Sequence, residues 1–126
     1  MTEPVLLVID DEEPVRLAVT DILELSHWKV LTAASGEEGL DVYRQHQAEI
    51  DLVLLDLSMP GLSGDETFQR LRQIDPQVRV ILSSGYDPVE VARRFSGQAH
   101  VGFIQKPYDD VKLAREVARY MDEDQA

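Results

Sequence analysis

Five short apolar runs, rich in β-branched residues, recur along the chain at intervals of 21 to 28 residues. Some of them, such as the first, are apolar at every position, which is typical of strands buried on both faces of a parallel sheet. Each run is followed by a segment of helical length, and this is the pattern of repeated βα units. The predicted strands are residues 5–9, 29–33, 50–55, 78–82 and 101–104.

The segments between these runs carry helix signals. Pro14 suits a first helical turn, Ser35 precedes two glutamates as an N-cap residue should, and Asp109 with Asp110 places negative charge at the start of the last helix. Asp75 precedes a proline and should end the third helix, because that position avoids helical geometry. Four helices are therefore expected to have well-defined ends.

The weakest helical signal covers residues 88–95, a short segment that runs into Ser-Gly and that we expect to be mobile. In the first and last helices, apolar residues at helical spacing predict the face that packs on the sheet. The predicted stripes are Val15, Ala18, Val19 and Ile22, and Val111, Ala114, Val117 and Ala118.

An alternating βα pattern repeated five times predicts an α/β fold, an open, doubly wound, five-stranded parallel sheet with helices on both faces. The length of 126 residues suits one domain, residues 1–126, with a sizeable core. Ligands of such sheets bind just beyond the carboxyl ends of the strands. The residues that follow each predicted strand are therefore the first candidates for a functional site.

Charge and composition exclude several functions. Twelve basic against 24 acidic residues give a net charge of -12, so nucleic-acid binding by this domain is not expected. The absence of cysteine excludes disulfides and thiolate metal sites and leaves metals that prefer oxygen ligands. No apolar run approaches the ~20 residues of a membrane span, and no export signal precedes the first strand. We therefore expect a cytoplasmic protein without a membrane partner.

Polar residues of particular types follow four of the five predicted strands. Because parallel strands present their carboxyl ends at one edge of the sheet, these side chains should converge although they are distant in sequence. Any one of them alone is more often a turn or cap residue, so only their coincidence points to a site. They are Asp10 and Asp11, Asp56, Ser83 and Ser84, and Lys106.

Three clustered carboxylates repel one another unless a cation neutralises them, and oxygen-only ligands favour Mg²⁺ or Mn²⁺. With such a metal bound, a carboxylate can attack a phosphoryl donor and form an aspartyl phosphate, while the metal and a lysine neutralise the phosphoryl oxygens. Asp56 is the best candidate nucleophile because it stands alone after the most apolar central strand. Lys106 would supply the fixed positive charge.

With its residues in this order, the sequence resembles the receiver domain of response regulators in two-component signalling, over essentially the whole chain. The matching segments are VIDDE at 8–12, LDLSMPGLSG at 55–64, SGY at 84–86 and FIQKPY at 103–108. The resemblance implies a flavodoxin-like fold with sheet order 2-1-3-4-5 and five helices. It also implies a signalling switch rather than an enzyme, phosphorylated by a partner histidine kinase or phosphotransfer protein.

Carried over by position, the resemblance implies that Asp56 is the phosphoacceptor. Asp11, Asp56 and the main-chain carbonyl of Ser58 would ligate Mg²⁺, and Asp10 would assist through bound water. These four residues form the expected metal site.

The resemblance also implies a switch that reads out phosphorylation. Ser84, which directly precedes the small residue Gly85, matches the switch hydroxyl, and Lys106 should contact another phosphoryl oxygen. Phe103 takes the place of the switch aromatic, which is often a tyrosine, so a readout through a tyrosine hydroxyl is not expected. The surface that responds should be helix four, strand five and helix five, where a downstream protein partner would bind.

Other functions fit the residues less well. A haloacid-dehalogenase-type phosphatase needs a second aspartate two residues after the nucleophile, where this chain has Ser58. A flavin-binding module on the same fold would meet repulsion between Asp10, Asp11 and the flavin phosphate. A degenerate receiver that acts without phosphorylation remains open. The sequence also leaves open whether the chain is a standalone regulator or a piece of a hybrid sensor kinase. It does not decide between a monomer and a weak dimer.

Overall fold

The structure, a computed structural model, describes residues 3–125, with side chains to residue 120. Five parallel strands form one sheet in the order β2-β1-β3-β4-β5, which confirms the predicted fold class and strand order. Strands and helices alternate along the chain. The elements are β1 (Val5–Ile9), α1 (Glu13–Glu24), β2 (Lys29–Ala33), α2 (Gly36–His46), β3 (Ile50–Asp56), α3 (Gly64–Ile74), β4 (Val80–Ser84), α4 (Pro88–Arg94), β5 (Val101–Gln105) and α5 (Asp110–Gln125).

Two apolar layers cover the sheet. The central strands β1 and β4 are buried along their whole length, as the continuous apolar sequence of β1 predicts. One layer packs helices α2, α3 and α4 on one face, and the other packs α1 and α5 on the opposite face. The arrangement leaves the carboxyl ends of the central strands open at one edge.

The predicted helix ends are confirmed where the structure describes their capping bonds. Ser35 caps α2, since its hydroxyl accepts the amide N–H of Glu38. Asp75 ends α3 in an extended conformation, and the Asp109 carboxylate accepts the amide N–H of Lys112 in the first turn of α5. Local sequence therefore fixes where several helices begin and end.

Some predicted boundaries are wrong by one or two residues. β4 begins at Val80, not at residue 78, because its pairing with β3 starts there and Val78 belongs to the turn after α3. β4 also runs on through Ser83 and Ser84, and β3 includes Asp56. Asp56, Ser83 and Ser84 thus lie at the ends of hydrogen-bonded strands, which hold their backbone more firmly than a loop does.

The predicted inward stripes of α1 and α5 are partly wrong. Ala18 in α1 is exposed, as are Val111 and Ala118 in α5. Val19 and Val117 are buried as predicted, and each has a buried leucine four residues away that the predicted stripes did not include, Leu23 in α1 and Leu113 in α5. The larger leucine side chains fill the space against the sheet, which turns the smaller alanines outward. Among the described residues, no helix is long and apolar enough to cross a membrane.

Candidate functional site

Three carboxylates meet at the carboxyl ends of β1 and β3. Ile9 lies opposite Leu55 in the register of these neighbouring strands, so the next residues, Asp10 and Asp56, stand side by side. One oxygen each of Asp10, Asp11 and Asp56 lies within 4.8 Å of the others. Asp10 and Asp56 are buried, with 2% exposure each, whereas Asp11 is exposed. The predicted convergence of these three aspartates is therefore present.

Lys106 reaches the same place from the end of β5. Its Nζ lies 3.0 Å from Oδ2 of Asp10 and 3.3 Å from Oδ2 of Asp56. Its backbone N–H donates to the carbonyl of Ser84, which fixes the lysine at the sheet edge. Burial alone lowers the pKa of Lys106, but the hydrogen bond to Asp10 and the charge of Asp56 outweigh burial, so the net pKa is raised. The ammonium is thus charged at neutral pH.

The Asp56 carboxylate carries an electrostatic penalty. Burial is the main reason that its pKa is raised above the ordinary aspartate value, and the negative charge of Asp10 adds to the effect. The amide N–H of Ser58, 2.9 Å from Oδ1, and the Lys106 ammonium act in the opposite direction without cancelling it. A site that resists the ionisation of its own carboxylate is one that a cation would stabilise.

The donor set fits a divalent, oxygen-seeking metal. Three carboxylates face one ammonium, which leaves two negative charges uncompensated among these four side chains. Mg²⁺ and Mn²⁺ take oxygen ligands and keep several waters, which suits a site with one exposed aspartate. The Ser58 carbonyl as a further ligand stays a prediction, since the contact given for that residue is its amide N–H to Asp56.

Arg16 in α1 is a site neighbour that the sequence analysis missed. Its Nη1 donates a hydrogen bond of 2.7 Å to the main-chain carbonyl of Asp10. The Asp10 side chain in turn accepts the amide N–H of Glu12 at 2.9 Å. These bonds fix the turn from β1 to α1 that carries the two adjacent aspartates. The only sequence signal for this contact is that Arg16 follows Asp10 by six residues.

The predicted switch residues share one cavity on the other side of the β4 end. Ser84 is buried, and its hydroxyl accepts the amide N–H of Tyr86 at 2.9 Å. Ser84, Tyr86 and the half-buried Phe103 line a cavity of about 200 Å³ beside α4. The structure thus brings Ser84 and Phe103 together, and their roles as switch residues stay predictions.

An ion pair joins α3 and α4, the helices that follow β3 and β4. Nη2 of Arg94, at the end of α4, lies 2.5 Å from both carboxylate oxygens of Asp65, in the first turn of α3. Both side chains are partly exposed. α3 and α4 are therefore connected at the surface next to the site.

A second, larger groove adjoins the carboxylates on the α1 side. It has a volume of about 450 Å³, and its floor is apolar, formed by α1 and the segment between β5 and α5. Glu12 and Lys106 stand at the end nearest the carboxylates. The apolar lining consists of Pro14, Val15, Ala18, Ile22, Pro107 and Tyr108.

Residues 6–118 match the family described as response regulator receiver domain. The chain belongs to this family. Its receiver domain contains the strand-end carboxylates and lysine described above, and the matched span runs from the second residue of β1 into α5. The predicted family is therefore confirmed.

Relatives and solved structures agree with this assignment. The receiver domain is 32% identical over 116 residues to sensor kinase CckA of Brucella abortus, covering 92% of this chain but only 12% of that protein. It is 27% identical over 116 residues to sporulation initiation phosphotransferase F of Bacillus subtilis, covering 92% of each. Among solved structures, the CheX-CheY-BeF3-Mg²⁺ complex from Borrelia burgdorferi superposes with a TM-score of 0.89 at 27% identity, covering 95% of this chain and 90% of that one.

Proposed function

We propose that this receiver domain, residues 1–126, is a cytoplasmic phosphorylation switch in which Asp56 accepts a phosphoryl group with Mg²⁺ or Mn²⁺ bound. The observation that carries the proposal is the burial of Asp56 beside Asp10 and within reach of Lys106. A bound metal would neutralise carboxylate and phosphoryl charge. Asp10, Asp11, Asp56 and the Ser58 carbonyl are the residues that would hold it.

The chemistry assigned to the chain's own residues is simple. An oxygen of Asp56 attacks the phosphorus of a phosphohistidine, the new O–P bond forms as the P–N bond breaks, and the imidazole leaves with the bonding electron pair and takes up a proton. Lys106 holds positive charge where the phosphoryl oxygens arrive, because it already lies 3.3 Å from Asp56. The domain then promotes only its own phosphorylation and dephosphorylation.

The proposed readout lies on the α4 side. The phosphoryl group adds a dianion next to Ser84, whose hydroxyl in the resting structure accepts a hydrogen bond from Tyr86. Turning that hydroxyl toward the phosphoryl group frees space in the cavity that it shares with Phe103. The change is expected to alter the surface of α4, β5 and α5, where a downstream protein binds.

The groove beside α1 is the proposed docking place for the phosphodonor domain. A donor histidine has to approach Asp56 closely, and the groove is an apolar surface that ends at Lys106 and Glu12, next to the carboxylates. An apolar face of a helical kinase or phosphotransfer domain would bury Val15 and Ala18 while its histidine reaches the site. Docking there leaves the α4 side free for the output partner.

The decisive test measures the intact mass after incubation with acetyl phosphate and MgCl₂. Wild type should gain one phosphoryl adduct, Asp56→Asn should gain none, and excess chelator should prevent the adduct. Asp41→Asn, which changes an exposed aspartate in α2, is the matched control and should behave like wild type. No adduct in wild type would support a degenerate receiver that acts without phosphorylation. An adduct that persists in Asp56→Asn would show that the acceptor is another residue.

A further inference from the structure

Asp10 is hydrogen-bonded at its main-chain N–H, its main-chain carbonyl and both of its carboxylate oxygens. The N–H donates to the Ala33 carbonyl at 3.1 Å, and the Asp10 carbonyl accepts Nη1 of Arg16 at 2.7 Å. The carboxylate accepts the Glu12 amide N–H on Oδ1 and the Lys106 ammonium on Oδ2. Asp10 is also buried, with 2% exposure. The end of β1 is therefore held firmly at this residue.

Asp11, the next residue, is exposed, yet one of its carboxylate oxygens lies within 4.8 Å of those of Asp10 and Asp56. Like charges at this separation repel one another, so the place of Asp11 in the cluster depends on how the backbone directs its side chain. The peptide group between Asp10 and Asp11 is planar, and a bond that fixes the Asp10 carbonyl also fixes the plane that leads to Cα of Asp11. Arg16 therefore acts on Asp11 through the main chain.

The stability of α1 does not account for an arginine at this position. Arg16 is the fourth residue of the helix and is half-buried. The aligned peptide dipoles place partial positive charge at a helix N-terminus, so a cation near that end is disfavoured. The bond to the Asp10 carbonyl has a charged donor, which makes it stronger than a bond between neutral groups. The placement of Arg16 is thus accounted for by what it holds rather than by the helix.

We propose that Arg16 is a positioning residue of the metal site, which holds the Asp10–Asp11 peptide group so that the Asp11 carboxylate meets an incoming Mg²⁺ or Mn²⁺. The inference rests on the proposed function, and it concerns the metal affinity of that same site. Arg16 is not itself a ligand, because it acts through the backbone of two ligands. Loss of a partner that orients metal ligands typically weakens metal binding about 10- to 100-fold.

The direction of the change in affinity separates positioning from a simple effect of charge. Arg16 is a cation beside a cation site, so by charge alone its removal should strengthen metal binding. Loss of its hydrogen bond frees the Asp10–Asp11 peptide group, and the metal then has to order that group when it binds. Positioning therefore predicts weaker binding, opposite in sign to the effect of charge.

The test compares Arg16→Met with wild type and with Arg115→Met. Methionine has nearly the helix propensity of arginine, so α1 should form in the variant. Arg115 is the matched control, because it is an exposed arginine of α5 and its substitution removes the same charge. The probe is Mn²⁺ alone, with the free ion measured by its EPR signal and Mg²⁺ affinity measured by competition. Arg16→Met should weaken Mn²⁺ binding about tenfold, whereas Arg115→Met should match wild type.

A variant that keeps the charge supplies a second comparison. Arg16→Lys retains a charged donor on a shorter side chain, so its Mn²⁺ affinity should lie between those of wild type and Arg16→Met. Unchanged or tighter Mn²⁺ binding in Arg16→Met overturns the proposal, even if the melting temperature in chelator falls, because Arg16 would then have a structural role only. Weaker binding in Arg16→Lys than in Arg16→Met also overturns it. Failure of wild type to bind Mn²⁺ instead overturns the proposed function itself.

Discussion

Lys106 and Asp10, 96 positions apart in sequence, are joined by a hydrogen bond of 3.0 Å between Nζ and Oδ2. The same ammonium lies 3.3 Å from Oδ2 of Asp56, so a single cation stands between two buried carboxylates. The shared ammonium offsets the repulsion between the two carboxylates in the resting site. It also leaves the lysine able to turn toward whichever neighbour gains negative charge.

Removal of that cation should destabilise the metal-free protein. Lys106→Met leaves Asp10 and Asp56 facing each other, and we expect the free energy of unfolding to fall by about 2 kcal/mol, less than for a fully buried pair because Lys106 is 22% exposed. Saturating Mg²⁺ should recover much of the loss. Urea unfolding with chelator and with MgCl₂ measures both, with Lys29→Met as an exposed control. A loss that Mg²⁺ does not reduce would contradict metal binding between the carboxylates.

Neutralising Asp56 should have the opposite effect on stability. Folding raises the pKa of Asp56, so its contribution to stability is fully present below the ordinary aspartate pKa and is lost as pH rises through the raised folded value. Asp56→Asn removes this loss, and the free energy of unfolding at pH 7 without metal should rise by about 1 kcal/mol. Denaturant unfolding between pH 4 and pH 8 should also show a flatter profile than wild type. A variant less stable than wild type at pH 7 would refute the electrostatic penalty.

The start of α3 should not tolerate a side chain at Gly64. A Cβ there would lie 2.5 Å from Cα of Leu57 and 2.8 Å from the carbonyl oxygen of Asp56. Gly64→Ala should therefore lower the free energy of unfolding by about 2 kcal/mol and slow phosphorylation, because the segment after Asp56 must shift. Gly85→Ala is the control, since a Cβ at Gly85 meets no atom within 4 Å. Equal thermal stability of the two variants would contradict the close approach.

Substitutions in the α1 groove should impair docking of the phosphodonor domain without impairing the phosphorylation reaction itself. Ala18→Asp puts a charge on the exposed apolar lining but does not touch the carboxylates. Transfer from a phosphorylated kinase or phosphotransfer domain that serves wild type should fall at least about tenfold, as expected for a charge buried without a partner. The adduct from acetyl phosphate should form as in wild type. Leu25→Asp, at the exposed far end of α1, should leave both reactions intact.

The proposed switch role of the Ser84 hydroxyl can be tested apart from phosphorylation. Ser84→Ala removes the acceptor of the Tyr86 amide but keeps Asp56 and Lys106 in place. The variant should still form the acetyl phosphate adduct, whereas beryllofluoride and Mg²⁺ should no longer shift the amide resonances of α4 and β5. NMR spectra with and without the probe measure this. Shifts equal to those of wild type would remove Ser84 from the readout.

The strand-end chemistry could be predicted from sequence because two regularities coincide. Fully apolar runs identify central parallel strands, and the edge at which such strands end is common to all of them. Asp10, Asp56 and Lys106 therefore had to meet, whatever the details of packing. The sheet order, by contrast, came from the family resemblance rather than from the periodicity itself.

Other features could not be predicted because their sequence signals are ordinary. In sequence, Arg16 is indistinguishable from an ordinary surface arginine of a helix. Only the orientation of α1 brings its side chain to the Asp10 carbonyl. The helix faces were misjudged at Ala18 and Val111, since an alanine or valine at helical spacing is compatible with either side.

The Asp65–Arg94 ion pair has a consequence for how readily the domain responds. It ties the helix that follows Asp56 to the helix that follows Ser84, so any displacement of α4 has to stretch or break it. A partly exposed pair contributes at most about 1 kcal/mol, which changes a two-state ratio no more than about fivefold. If α4 moves as proposed, the pair is therefore expected to act as a fine adjustment of basal output. Charge substitutions there are then expected to change the background level of signalling and to leave phosphorylation itself untouched.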